Sequence, residues 1–121
     1  MKKIVVAGCR DYNNYIEAKE FIEQCISKIK KEHTLIFLSG GCRGADKLGE
    51  RFAEENGYKL IRYEANWDEL GSSAGPIRNY EMAQACDCVI CFWDGKSKGT
   101  KSMIEFANSF KKPIRIKNIK N

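Results

Sequence analysis

The chain has 121 residues, of which 43% are apolar and 31% are charged, a composition that indicates one globular domain over residues 1–121. No apolar run is long enough to cross a membrane, and the apolar stretch after Met1 is too short for a signal peptide, so we expect a cytoplasmic protein. The formal net charge of +5 suits a phosphate-bearing ligand, but the basic residues are scattered and not interleaved with aromatic ones, which disfavours nucleic acid as the partner.

Short apolar runs alternate with segments of helical spacing in the first half of the chain. Ile4–Ala7 predicts the first strand, and the helix that follows begins at an Asn cap and extends to about Lys31. Residues 35–38 predict the second strand and residues 45–56 the second helix, which ends before a glycine. Residues 59–63 predict the third strand.

The second half of the chain continues the same alternation after a polar link over residues 64–73. Gly75-Pro76 begins the next helix, which ends near residue 86, because proline suits a first helical turn. Residues 88–93 predict a buried strand, Gly99-Thr100 opens the helix after it, and residues 113–119 predict the last strand.

This order of elements predicts an α/β fold. The strands are short and continuously apolar, which is typical of a mainly parallel sheet, here five-stranded, with helices on both faces. Ligands of such sheets bind at the C-terminal ends of the strands, near the point where the strand order reverses. We therefore expect the loops after the first, second and fourth strands to lie along one edge and to form one site.

All three of these loops contain glycine together with a cation or a hydroxyl. Glycine lets an anion approach backbone N–H groups closely, and a helix that starts there adds the positive end of its dipole. Each loop can also be a plain turn. No dinucleotide fingerprint and no P-loop occurs, which excludes ordinary NAD dehydrogenases and Walker ATPases. The candidate ligand-binding residues of the loops are Gly8, Arg10, Ser39, Gly40, Gly41, Arg43, Gly44, Gly95, Lys96, Ser97, Gly99 and Thr100.

Several further side chains are candidates for the same edge of the sheet. Arg78, followed by Asn79 in a first helical turn, can clamp a phosphate or form a surface ion pair. Asp46 can accept from a ribose hydroxyl or stabilise the start of its helix. Trp67 and Trp93 can stack on a base or lie at the edge of the core.

The carboxylates nearest the loop after the fourth strand are Asp94 and Glu105. Asp94 is placed to face a ligand, and Glu105 is expected to point outward. The six cysteines match no zinc spacing, and Cys88 and Cys91 would point to opposite faces of a strand, so we expect neither a metal nor a cofactor.

Four motifs in order resemble one known family. They are Gly8-Cys-Arg10, Ser39-Gly-Gly-Cys-Arg-Gly-Ala-Asp46, Ala74-Gly-Pro-Ile-Arg-Asn79 and Phe92-Trp-Asp-Gly-Lys-Ser-Lys-Gly-Thr100. Together they look like the YspA-type, cpYpsA-related branch of the SLOG superfamily, whose more distant members include the Lonely Guy phosphoribohydrolases and DprA. The resemblance implies a Rossmann-like three-layer sandwich and a nucleotide-derived ligand, such as an ADP-ribose-type molecule, that the protein senses or sequesters.

The resemblance also implies phosphate and ribose contacts by both glycine loops. In the Lonely Guy hydrolases the arginine is followed by a lysine, and a glutamate lies three residues after the threonine of the Gly-Thr pair. This chain departs from that pattern, because Arg78 is followed by Asn79 and Met103 lies three residues after Thr100. Cleavage of the N-glycosidic bond of a nucleoside 5'-monophosphate is therefore the alternative function, with Asp94 and Arg78 as the catalytic candidates. Weak nucleic-acid binding is the third. A homo-oligomer, most simply a dimer, is expected because many relatives dimerise.

Overall fold

A computed structural model describes residues 1–120, in which five strands form one sheet. The strands are β1 (Lys2–Gly8), β2 (Leu35–Ser39), β3 (Lys59–Arg62), β4 (Cys88–Trp93) and β5 (Ile114–Asn118). Their order across the sheet is β3-β2-β1-β4-β5, and every pairing within the described residues is parallel. The predicted α/β class with a mainly parallel five-stranded sheet is confirmed. The predicted domain extends one residue beyond the described range.

Helices connect the strands and cover both faces of the sheet. They are α1 (Tyr15–Ile26), α2 (Ile29–Glu32), α3 (Ala45–Glu55), α4 (Trp67–Leu70), α5 (Ala74–Ala85) and α6 (Lys98–Ser109), and a 3-10 turn over Gly71–Ser73 joins α4 to α5. No helix in residues 1–120 has both the length and the apolar character that a membrane span needs.

The core lies in two layers because successive strand residues point to opposite faces of the sheet. On one face, Ile4 and Val6 of β1 pack with residues of α1 and α3, such as Ile22 and Phe52. On the other face, the intervening residues of β1 pack with α5 and α6, including Met82 and Met103. These two apolar layers, one on each face, give the predicted three-layer sandwich.

The structure departs from the predicted elements at three helices. The first helix stops at Ile26 and a separate turn, α2, follows; the hydroxyl of Ser27 donates to the carbonyl of Gln24 at the break. The polar link after β3 contains α4, because the side chain of Asn66 accepts from the amide of Glu69 and caps a helical turn. The last helix begins at Lys98, one residue before the predicted Gly99.

The sheet order places a reversal beside β1. From β1 the chain builds outward to β2 and β3, and it then returns to the other side of β1 to add β4 and β5. The loops after β1 and β4 therefore leave neighbouring strands in opposite directions, which opens a crevice at the C-terminal edge of the sheet.

Candidate functional site

A cavity of about 350 Å³ lies at this reversal. Loops after β1, β2 and β4 and residues of α3, α5 and α6 form its walls. Arg78 and Asn79 lie in the second turn of α5 and not in the first turn that the sequence predicted, because the helix begins at Ala74. The predicted site residues that line it are Gly8, Arg10, Arg43, Asp46, Arg78, Asn79, Asp94, Ser97, Gly99 and Thr100. The three loops that the sequence placed on one edge therefore do enclose one space.

Arg78 is the most constrained cation of the cavity. It is 8% exposed, and its guanidinium donates from Nη1 to the carbonyl of Gly40 at 2.7 Å and from Nε to Oδ1 of Asn79 at 3.0 Å. Nη2 also lies 3.8 Å from the sulfur of Cys42. None of the ion pairs within residues 1–120 includes Arg78, so the surface ion pair considered from the sequence is not formed. Asp46 lies near Arg78 and interacts with it electrostatically, but the two do not form an ion pair. Burial of the cation is costly, and an anion in direct contact with it would offset more of that cost.

Asp46 faces the cavity from the first turn of α3. It is 6% exposed, and Oδ2 accepts from the amide of Cys42 at 3.2 Å. Burial raises the pKa of Asp46 to about 6, although the amide of Cys42 and the cations Arg78 and Arg10 act to lower it and Glu50 acts to raise it. The cavity therefore contains a carboxyl group that changes its charge near neutral pH.

The loop between β2 and α3 is fixed by side chains beneath it. Ser39 donates to Oε2 of Glu50 at 2.6 Å and accepts from the amide of Gly41 at 3.0 Å. Arg62 donates to both carboxylate oxygens of Glu50. The cavity lining does not include Ser39, Gly40 or Gly41. Their contacts instead hold the loop that carries Cys42 and Arg43.

Two glycines are needed because backbones meet at the cavity wall. A Cβ on Gly8 would collide with the carbonyl of Phe92 on the neighbouring strand, and one on Gly44 would collide with the carbonyls of Cys9 and Arg10. Gly44 also has a φ of 82°, which is unfavourable for other residues. The Gly44 contact brings the loops after β1 and β2 together, and the Gly8 contact lies between β1 and β4.

The loop after β4 is organised by its own side chains. Oδ1 of Asp94 accepts from the amides of Lys96 and Ser97, and the hydroxyl of Ser97 contacts the amide and hydroxyl of Thr100. Three amides that the sequence offered to a phosphate therefore already have acceptors. Gly95 and Lys96 do not line the cavity, whereas Asn79 contacts it and donates to the carbonyl of Gly99 at 3.3 Å.

The two tryptophans lie outside the cavity lining. Trp67, on α4, is 50% exposed, and its ring edge lies 3.2 Å from the position that a Cβ on Gly75 would take. Trp93 is half-buried and donates from its indole to the carbonyl of Ser97 at 3.1 Å. The base-stacking role of either ring stays a prediction, with Trp67 at the free surface beside the start of α5.

Charge on the outer wall of the cavity is partly neutralised within the protein. Arg43 forms an exposed ion pair with Asp11 at 3.2 Å, and Arg10 also lines the cavity. Glu105 is exposed on α6, as expected, and lies outside the lining. Among residues 1–120 no cluster of histidines, cysteines and carboxylates has the arrangement of a metal site.

Several lining residues were not predicted from the sequence. Ala7, Cys9, Asp11, Cys42, Met82 and Met103 also form the wall. Cys9, Asp11 and Cys42 adjoin predicted residues within the same loops. Met82 lies one helical turn after Arg78, and Met103 lies three residues after Thr100, so helical spacing from those residues would have identified both.

Comparison with known protein families gives one matching model. It is described as the YspA, cpYpsA-related SLOG family, and it matches residues 2–69, which include β1, β2, α3 and the loops of the cavity that follow β1 and β2. Gene 61 protein of Mycobacterium phage D29 is 26% identical over 120 residues, and the alignment covers 94% of each chain.

Two solved structures have similar folds. DNA processing protein A (DprA) from Streptococcus pneumoniae matches with a TM-score of 0.72 and 21% identity over 95% of this chain. The match covers 49% of the DprA chain, so this chain spans about half of that protein. The protein TM1055 matches with a TM-score of 0.67 and 20% identity, over 94% of this chain and 72% of its own. These likenesses agree with the Rossmann-like fold.

Proposed function

This chain belongs to the YspA, cpYpsA-related SLOG family, and from this premise we propose that it binds a nucleotide-derived ligand, of the ADP-ribose type, in the cavity at the C-terminal edge of its sheet. The ligand's phosphate groups face Arg78 and Arg10, and the first turn of α6, with Gly99 and Thr100, contacts the remainder. The binding serves to sense or to sequester the ligand.

The observation that carries this proposal is the buried guanidinium of Arg78. The hydrogen bonds to Gly40 and Asn79 use two of its five N–H groups, so other N–H groups of the guanidinium can donate to a ligand. Within the described residues no carboxylate forms an ion pair with it. A guanidinium presents five donors in a plane and suits the oxygens of a phosphate. A phosphate in the cavity would form a direct ion pair with Arg78, which the nearby Asp46 does not form within the described residues.

Isothermal titration calorimetry of the chain against AMP, ADP-ribose, cyclic ADP-ribose and NAD tests the proposal. We expect heat with at least one of them. Arg78→Lys should weaken that binding by about 10- to 100-fold, because a charge-assisted hydrogen bond contributes about 1.5–3 kcal/mol and lysine cannot replace the planar fork.

The matched control for this substitution is Arg51→Lys. Arg51 is exposed on α3, where it pairs with Glu55 outside the cavity lining, and its variant should bind like the wild type. A folded wild-type protein that gives no heat with any of the four nucleotides contradicts the proposal, and so does an Arg78→Lys variant of unchanged affinity.

The alternative proposal is an N-glycosidic hydrolase of nucleoside 5'-monophosphates with Asp94 and Arg78 as the catalytic residues. In its favour, both side chains line the same cavity. Against it, Oδ1 of Asp94 already accepts two backbone amides, and the buried Met103 stands where the related hydrolases have a glutamate. Incubation of AMP with the wild type and with Asp94→Asn decides this alternative: without base release by the wild type it is wrong.

A further inference from the structure

The cavity brings one carboxylate close to its buried cation. The point that a Cβ on Gly40 would occupy lies 2.9 Å from Oδ2 of Asp46 and 2.9 Å from Nη1 of Arg78. The two groups therefore face each other across Gly40, at the same end of the cavity, although they do not form an ion pair within the described residues. Any anion that reaches the guanidinium of Arg78 also comes close to the carboxylate of Asp46.

The anion at Arg78 and the ionised carboxylate of Asp46 repel each other, and burial strengthens this repulsion. The carboxylate of Asp46 cannot turn away to solvent, because it is 6% exposed and one of its oxygens accepts from the amide of Cys42. Protonation removes the repulsion, and the neutral acid gains an O–H group that can donate to an oxygen of the ligand.

We propose that the cavity takes up its anionic ligand together with a proton, and that Asp46 is the group that receives the proton. The proposal rests on the proposed function, since it needs an anion beside Arg78. It makes ligand binding stronger at mildly acidic pH than at alkaline pH.

The electrostatics of the unliganded cavity support this assignment. Burial raises the pKa of Asp46 to about 6, and the positive charge of Arg78 is among the influences that hold it from rising further. An anion paired with Arg78 cancels much of that influence, so the pKa of Asp46 rises again on binding. Near pH 7 the free protein is therefore mostly ionised at Asp46, whereas the complex holds a larger share of a proton there.

Other charged or titratable groups face Asp46 from each neighbouring element. Arg10 lies in the loop after β1 and Glu50 on α3 itself, and both act on Asp46. Glu50 keeps its charge in this range because its pKa lies below the ordinary value, held there by Arg62 and Ser39 against the effect of burial. The thiol of Cys91 on β4 stays neutral because burial raises its pKa to about 12. The pH dependence in this window is thus assigned to Asp46.

Calorimetry with ADP-ribose tests the proposal, because its diphosphate bridge does not change its protonation between pH 6 and pH 8. Titrations at pH 7 in two buffers of different ionisation enthalpy, PIPES and Tris, give the number of protons taken up. We expect uptake of about half a proton or more per ligand, and a dissociation constant about tenfold weaker at pH 8 than at pH 6. Asp46→Asn should abolish both effects, and Glu105→Gln, an exposed carboxylate outside the cavity, should leave both intact.

The outcomes separate this inference from the proposed function. Binding without proton uptake, at a pH-independent affinity, contradicts the inference alone and indicates that Asp46 stays charged, as an acceptor for a ribose hydroxyl. Uptake that persists in Asp46→Asn also contradicts it. No binding of AMP, ADP-ribose, cyclic ADP-ribose or NAD at either pH contradicts both. If Asp46→Asn does not fold, the inference is tested on the wild type by a ¹³C NMR titration of the Asp46 carboxyl. Its pKa must rise when ligand is added, and an unchanged pKa contradicts the inference.

Discussion

At the scale of single residues, α3 carries two buried carboxylates whose pKa values move in opposite directions. Burial raises the pKa of Asp46, and its one amide donor and nearby cations do not offset the effect. Burial also acts to raise the pKa of Glu50, but hydrogen bonds from Arg62 and Ser39 outweigh it and the pKa is lowered. The surroundings of Asp46 thus favour its protonation near pH 6, and those of Glu50 keep it charged where it fixes the loop.

Glu50→Gln tests the structural half of this division. The substitution removes charge-assisted bonds to Arg62 and Ser39, so we expect the free energy of unfolding at pH 7 to fall by about 1–3 kcal/mol. Since the folded pKa of Glu50 is depressed, its contribution is present above the ordinary glutamate pKa of about 4.3 and is lost as the pH falls below it. The difference between wild type and variant should therefore shrink towards pH 3.

Urea denaturation at several pH values measures this effect. Glu54→Gln is the control, because Glu54 is exposed on the same helix and forms no ion pair within the described residues. An equal loss of stability at pH 7 and at pH 3 in Glu50→Gln would show that the charge of Glu50 is not what stabilises the loop.

At the scale of elements, the cavity depends on contact between the loop that precedes α3 and the loop that follows β1. The amide of Ala45 donates to the carbonyl of Cys9 at 3.1 Å, and Gly44 lies directly against the same carbonyl. A side chain at this position would push the two loops apart, and with them Arg10 and Asp46.

Gly44→Ala and Gly57→Ala together isolate this contact. Both glycines have positive φ values, 82° and 71°, but nothing lies within 4 Å of a Cβ built on Gly57. Gly57→Ala should cost about 1 kcal/mol from backbone strain, and Gly44→Ala should cost more and weaken ligand binding. Chemical denaturation and calorimetry measure the two effects; equal costs, with ligand affinity unchanged, would contradict a role of Gly44 in joining the loops.

The sequence predicted the elements better than their local contacts. Buried parallel strands are continuous apolar runs, so residues such as Ile4 and Val89 identify them. A polar side chain is ambiguous, because Asp94 can face a ligand or bind its own loop, and Ser97 can cap α6 or contact a phosphate. The sequence likewise does not show which glycine amides are already bonded. The hydroxyl of Ser39, for example, accepts from Gly41 only because Glu50 and Arg62 position it.

At the scale of the whole molecule, the site exists because the order of the strands reverses beside β1. This arrangement brings residue 78 on α5 against residue 40 after β2, a contact that no local pattern reveals but that the rule for parallel sheets anticipates.

The expected dimer stays a prediction. Trp67, Leu70, Ile77 and Tyr80 leave exposed apolar surface on α4 and α5, and the mass in sedimentation velocity, measured against the 13.8 kDa of one chain, tests it.

Binding at this reversal should stabilise the whole fold, because the ligand joins loops from three strands. A ligand that binds only the folded state, at about 100 times its Kd, adds about 2.7 kcal/mol to the free energy of unfolding. For a chain of this length that is a rise in Tm of roughly 10 °C.

The rise in Tm at a fixed ADP-ribose concentration should be larger at pH 6 than at pH 8, because Asp46 must take up a proton. It should be smaller in Arg78→Lys at either pH. Differential scanning calorimetry measures all of these shifts. A Tm that ADP-ribose leaves unchanged at both pH values would contradict binding of ADP-ribose at the cavity. An equal rise at both would indicate that the ligand binds while Asp46 stays ionised.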